Sequence, residues 1–148
     1  MKAVVQRVSH ASVAIGENTV GKIGKGLLIL VGIEPDDALA DVAYISKKCL
    51  NLRIFEDIEG KMNLSVCDVC GELLIVSQFT LLGDARKGNR PSFIGAAPPE
   101  VAIPLYEELL AALSSEIHVE TGVFGADMKV SLLNDGPVTI LLDSKRLY

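Results

Sequence analysis

The run from Gly26 to Ile33, bounded by Gly and Pro and free of polar residues, constrains this chain most. A half-exposed strand alternates apolar and polar residues, so an unbroken apolar run of this kind must be covered on both faces. It is too short to cross a membrane as a helix, which takes about 20 residues. Leu73 to Phe79 reads as another buried strand.

Around these runs the period changes. Val4 to Val8 and Ser12 to Ile15 read as short β-branched strands, and Gly16-Glu17-Asn18 turns the chain into Thr19-Val20. Asp36 to Leu50 predicts a helix in which Leu39, Val42, Ala43 and Cys49 share one face. Acids come early in it and Lys47-Lys48 late, which suits the helix dipole. Leu52 to Phe55 returns to strand, and Glu59-Gly60 signals a turn. A second helix opens at Pro98-Pro99-Glu100 and runs to about Leu113. Pro104 predicts that it starts late or kinks, since an interior proline costs about 3 kcal/mol. Ile117 to Glu120, Met128 to Leu133 and Val138 to Leu142 complete the strands.

Strands outnumber helices, and the helices read as two separate insertions. The expected class is α+β, with a curved, mostly antiparallel sheet or partial β-barrel packed with two helices. No Gly-x-Gly-x-x-Gly follows a strand, which argues against a regular β-α-β winding. The 148 residues show no repeat, low-complexity tract or linker and read as one domain, 1–148. With 49% hydrophobic and 22% charged residues, the chain reads as soluble and globular. Arg7 interrupts the hydrophobic N-terminus, no secretory signal is visible, and the expected location is the cytoplasm without a membrane partner.

Three cysteines argue against a disulfide framework. Cys67 and Cys70 have Cys-x-x-Cys spacing, but only the scattered Cys49, His10 and His118 could complete a zinc site, so neither metal nor cofactor is expected. Two reduced thiols near a turn are the simpler reading. A net charge of −5 argues against a protein that grips long nucleic acid, though not against one that captures an RNA end. The locally basic stretch is Arg86-Lys87-Gly88-Asn89-Arg90, where Arg86, Lys87 and Arg90 are candidate phosphate contacts.

Two short polar interruptions end apolar runs. Ser77-Gln78-Phe79-Thr80-Leu81 follows Leu73-Leu74-Ile75-Val76, and Asn134-Asp135-Gly136-Pro137-Val138-Thr139 separates Val130-Ser131-Leu132-Leu133 from Ile140-Leu141-Leu142. The first delivers hydroxyl, amide and main-chain N–H groups to one rim of a sheet. In the second, a Gly-Pro pair between two strands can hold its carbonyls in a fixed direction. A side-chain hydrolase would need a base beside Ser77 or Thr80, and only His10 and His118 could supply one; Gly-x-Ser-x-Gly is absent.

Together these motifs resemble those of the D-aminoacyl-tRNA deacylases. The resemblance extends from Ala3-Val4-Val5-Gln6-Arg7-Val8 through Arg90-Pro91-Ser92-Phe93 to Phe124-Gly125-Ala126-Asp127-Met128. It implies hydrolysis of the ester that joins a D-amino acid to the terminal adenosine of tRNA, in a pocket built largely of main chain. The 2′-hydroxyl of that adenosine would assist water, in keeping with a pocket that has no evident base. By the same resemblance, main-chain N–H groups of Phe79 and Thr80 bind the carbonyl and the developing oxyanion, Gln78 holds the adenosine, and Ser77 braces the turn.

The resemblance further implies that Gly136-Pro137 has a cis bond and projects into the active site of a twin subunit, which makes the protein a homodimer. Its carbonyls would bind the α-amino group and occupy the space of an L side chain. Glycine would be rejected poorly, so glycyl-tRNA mischarged on tRNA-Ala becomes a second expected substrate. Arg7 would fix the Gly-Pro element, and Met128 would line the pocket. The related deacylase that removes L-alanine from threonine tRNA carries Pro and Ala where this chain has Ser77 and Phe79. A non-catalytic nucleic-acid or protein interaction module remains the alternative from a different class.

Overall fold

The computed structural model describes residues 1–148. Its centre is a long strand, β1 (Lys2–Ile15), where two short strands were expected. One edge of β1 pairs along its length with β8 (Lys129–Asp143). The other edge is shared: β3 (Gly26–Gly32) takes Lys2 to Val8, and β2 (Asn18–Ile23) takes Ala11 to Ile15. These pairings are antiparallel. Beyond β3 the sheet turns parallel, through β6 (Glu72–Ser77) to β7 (Val119–Thr121). The result is a curved mixed sheet that bends toward closure where Gly21 in β2 meets β7; a β-carbon there would stand 2.8 Å from the Thr121 carbonyl. A small hairpin, β4 (Phe55–Glu56) with β5 (Met62–Leu64), stands apart from it. The expected strand from Leu52 to Phe55 contributes only its last residue to that hairpin.

The helices are not loose insertions. Parallel neighbours need a crossover, and α1 (Leu39–Asn51) lies in the β3-to-β6 connection while α2 (Pro99–Ser114) lies in the β6-to-β7 connection. Their buried residues join the larger core. Leu27, Ile29, Val31, Leu73 and Ile75 point to the helices, and Leu28, Leu74 and Val76 point the opposite way, into a second core with Val8, Ala11, Val13 and Ile23. Those two cores explain the unbroken apolar runs, because successive residues of a strand serve opposite layers. Gly26 lets β3 and β6 start so close together; a β-carbon there would stand 1.8 Å from the Glu72 carbonyl oxygen.

Helix α1 starts three residues later than Asp36. Asp37 is drawn into the protein, where its carboxylate takes the Met1 ammonium at 2.5 Å and the Glu34 N–H at 2.7 Å. Its buried face is Val42, Ile45, Ser46 and Cys49, while Leu39 (63% exposed) and Ala43 face outward. Helix α2 starts at Pro99 rather than late, and Pro104 lies within it. Glu100 and Pro104 lie on its exposed side, where solvent takes the carbonyl that the missing N–H leaves free. No helix is long and apolar enough to cross a membrane.

Candidate active site

The carboxyl ends of β3 and β6 open into a cavity of about 280 Å³. Parallel strands commonly bind ligands beyond these ends, where the chain leaves the sheet. Val31 and Ile33 come from the end of β3, and Val76 to Phe79 from the end of β6. Ala97 and Ala102 close the side next to α2, and Phe124 to Met128 the side after β7. Ser77, Gln78, Phe79 and Met128 therefore share the lining, and Thr80 lies outside it. Met128 also packs against the second core, and its sulfur occupies space that a side chain on Gly122 would claim.

After Ser77 the chain breaks into a single 3-10 turn, Phe79–Leu82. The Gln78 N–H still donates to the Val31 carbonyl at 2.7 Å, the last rung between β3 and β6. As the first donors of the turn, the Phe79 and Thr80 N–H groups have no carbonyl within it. Neither donates to a loop or turn carbonyl elsewhere, and no side chain caps the turn. Phe79 lines the cavity and Thr80 lies one residue beyond its lining, so the opening donors of the turn stand beside it, where an oxyanion could use them. The Gln78 amide donates to the Thr80 hydroxyl, which keeps its own O–H as a donor.

Phe79 is 57% exposed and meets Phe93 edge to face, with ring centroids 5.1 Å apart. This contact ties the basic loop to the cavity mouth. In that loop Asp84 clasps Arg86, accepting Nε at 2.9 Å and Nη2 at 2.6 Å. These hydrogen bonds hold the Asp84 carboxyl down at about 2. Lys87 and Arg90 are exposed and carry no ion pair within the chain.

The second motif is not a turn between two strands. It is a bulge within β8: Gln6 pairs with Thr139 and Val8 with Asn134, so Asp135 to Val138 loop out opposite the single residue Arg7. Asn134 closes the neck, its amide donating to the carbonyls of Arg7 and Val138 at 3.0 Å each. Arg7, only 6% exposed, donates Nη1 to the Ile54 carbonyl at 2.7 Å and Nε to the Asp135 carbonyl at 3.2 Å. The Gly136-Pro137 bond is cis, and both residues are exposed at the tip. Neither they nor Arg7 line the cavity described above.

Neither histidine reaches that cavity either. His118 lies by Glu72 and Glu120 at the opposite end of β6, and His10 is paired with Leu133 on β1, so no hydroxyl–imidazole pair forms. No cluster of three or more metal-binding side chains occurs. Sequence reasoning gave no role to Phe124 or Asp127, although both line the cavity. Their segment carried the signal: Gly125, with φ of 77°, turns the chain so that residues on both sides face inward.

The family model described as D-Tyr-tRNA(Tyr) deacylase matches residues 4–143. The chain is 58% identical, over 100% of both sequences, to the D-aminoacyl-tRNA deacylase of Thermosipho africanus (strain TCF52B). It is 60% identical to the D-aminoacyl-tRNA deacylase of Flavobacterium psychrophilum (strain ATCC 49511 / DSM 21280 / CIP 103535 / JIP02/86), over 98% of each. Among solved structures, it is similar to the c-Myc DNA Unwinding Element Binding Protein, with a TM-score of 0.92 and 45% identity over 97% of this chain and 98% of that one.

Proposed function

The chain belongs to the D-Tyr-tRNA(Tyr) deacylase family and is a hydrolase, and we propose that it cleaves the ester of D-aminoacyl-tRNA as a proofreading step of translation in the cytoplasm. The observation that carries this reading is the uncapped 3-10 turn beside the cavity, opened by the N–H groups of Phe79 and Thr80. In the proposed reaction these groups hold the ester carbonyl and the oxyanion that grows on it. Gln78 takes the terminal adenosine, and Ser77 keeps the strand end in place. With no histidine at the cavity, the 2′-hydroxyl of the adenosine serves water as its proton partner. The mouth of the pocket lies beside the loop that carries Arg86, Lys87 and Arg90, which contact the acceptor-end phosphates. Arg86 does so while sharing its guanidinium with Asp84.

Chiral selection is assigned to Gly136 and Pro137. Since they do not line their own chain's cavity, they act on that of a second copy, in a two-fold homodimer. Two features support this: β8 is an edge strand paired only with β1, and it exposes Leu133 and Leu141. An unpaired edge of this length is usually covered. Arg7 holds the bulge, and Met128 shapes the pocket that receives the partner's Gly-Pro tip. An L side chain meets that tip, a D side chain points away from it, and glycine on tRNA-Ala passes because it has nothing to reject.

The deciding experiment compares hydrolysis of D- and L-tyrosyl-tRNA by the purified protein, with sedimentation at the assay concentration. Release from the D-ester alone, by a dimer, is expected. Nucleic-acid binding without turnover is the second reading, suggested by the name of one similar structure. The net charge of −5 weighs against it, and tight duplex binding with no release from either ester would establish it instead.

A further inference from the structure

Ser65 to Gly71 forms one helical turn at the entrance to β6, capped at both ends. Ser65 Oγ accepts the Asp68 N–H at 3.1 Å, and Asp68 Oδ2 accepts the Ser65 N–H at 2.8 Å, a reciprocal capping box. At the other end the Gly71 N–H donates to the Val66 carbonyl at 2.9 Å and the Cys70 N–H to the Cys67 carbonyl at 3.1 Å. That double closure is a Schellman motif, and Cys70 holds its left-handed position with φ of 52°, a place that usually falls to glycine.

This turn does for the two thiols what their spacing alone could not. A hydrogen bond from residue i+3 back to residue i belongs to turns whose end α-carbons lie within about 7 Å. Disulfides span α-carbon separations of about 4.4–6.8 Å. Cys67 and Cys70 are both exposed, whereas Cys49 is buried and its thiol is pushed up to about 12.

From this pairing we infer that Cys67 and Cys70 are a modification site, forming a reversible disulfide by exchange with low-molecular-weight disulfides such as oxidised glutathione. One cysteine thiolate attacks a glutathione sulfur, the glutathione S–S bond breaks, and one reduced glutathione leaves. The second thiolate then attacks the mixed disulfide, closes the Cys67–Cys70 bond and releases the second glutathione. Two electrons pass from the protein to glutathione, and the two thiol protons end on the released thiols. Desolvation first, then the charges of Asp68 and Glu116, raise the Cys67 thiol above its ordinary value, so a mildly alkaline medium speeds the exchange. The turn ends at Gly71 and Ser77 is the last of the six residues of β6, about 20 Å along the strand, so the bridge forms away from the cavity.

The test is incubation of the native protein with oxidised glutathione, followed by thiol counting after denaturation and by intact mass. Loss of two of the three thiols, with a mass lower by two hydrogen atoms and full recovery in dithiothreitol, is expected. A Cys67→Ser variant should instead retain one glutathione on Cys70. A wild-type protein that accumulates glutathione adducts at these positions, links two chains, or keeps all three thiols would overturn the inference.

Discussion

The guanidinium of Arg7 lies directly beneath Gly136: a β-carbon on Gly136 would stand 2.9 Å from Arg7 Nη2. Gly136 also has φ of 122°, where an L side chain is strained. A Gly136→Ala substitution therefore displaces the guanidinium and distorts the bulge together. Hydrolysis of D-tyrosyl-tRNA should fall at least tenfold, about 1.4 kcal/mol at the barrier. Circular dichroism should still show the folded sheet, since Gly136 itself belongs to neither core.

Arg7 bonds two carbonyls from different parts of the chain, Ile54 and Asp135. Lysine keeps the charge but has one nitrogen in place of a rigid fork. Arg7→Lys should release one of these contacts, cost about 1–2 kcal/mol in urea unfolding, and lower single-turnover deacylation more than it lowers tRNA binding.

Asn134 satisfies two carbonyls at the neck of the same bulge. Asn134→Ala leaves both without that donor and should destabilise the fold by about 1–3 kcal/mol. Hydrogen exchange at the β1 and β8 amides flanking Arg7 should rise, while that of β3 and β6 stays unchanged.

The buried Met1 ammonium depends mainly on Asp37, with Glu34 at 3.1 Å and the Ser144 hydroxyl at 2.8 Å as its other partners. Asp37→Asn removes the fully buried carboxylate and leaves the ammonium with the partly exposed one of Glu34. A loss of about 3 kcal/mol is expected, read as a lower melting temperature. An unchanged melting curve would mean that Glu34 alone suffices.

Asp84 should titrate near 2, held down by the hydrogen bonds from Arg86. Because its folded value lies below the unfolded one, what it contributes to stability is present above the ordinary carboxylate range and is lost as pH falls toward 2. Carboxyl NMR across that interval should show it, and Arg86→Ala should return the midpoint toward 3.8.

Several features could be read from residues close together in the chain. The runs Gly26 to Ile33 and Leu73 to Val76 were legible as doubly covered strands because every position in them is apolar, although the second strand ends at Ser77 and not at Phe79. The first motif was legible as a strand end because its polar residues break such a run. The helix face of α1 was only half legible: Leu39 and Ala43 fit the period, but periodicity cannot say that Asp37 would be drawn to the N-terminus and start the helix later. Pro104 did not delay the start of α2, because its cost depends on whether the freed carbonyl meets protein or solvent.

By itself the sequence determined most of the strand and helix segments, which of them need cover on two faces, and where the polar groups of the site enter the chain. These follow from local periodicity and backbone preference, which act over a few residues. Tertiary structure decided that β3, β6 and β7 run parallel with both helices as crossovers, and so where the cavity opens. It also decided that Gly136-Pro137 is a bulge held by Arg7 rather than a turn. Asn134 and Arg7 are 127 residues apart, and strand register across that separation is set by packing both faces of the sheet at once, which no local pattern records.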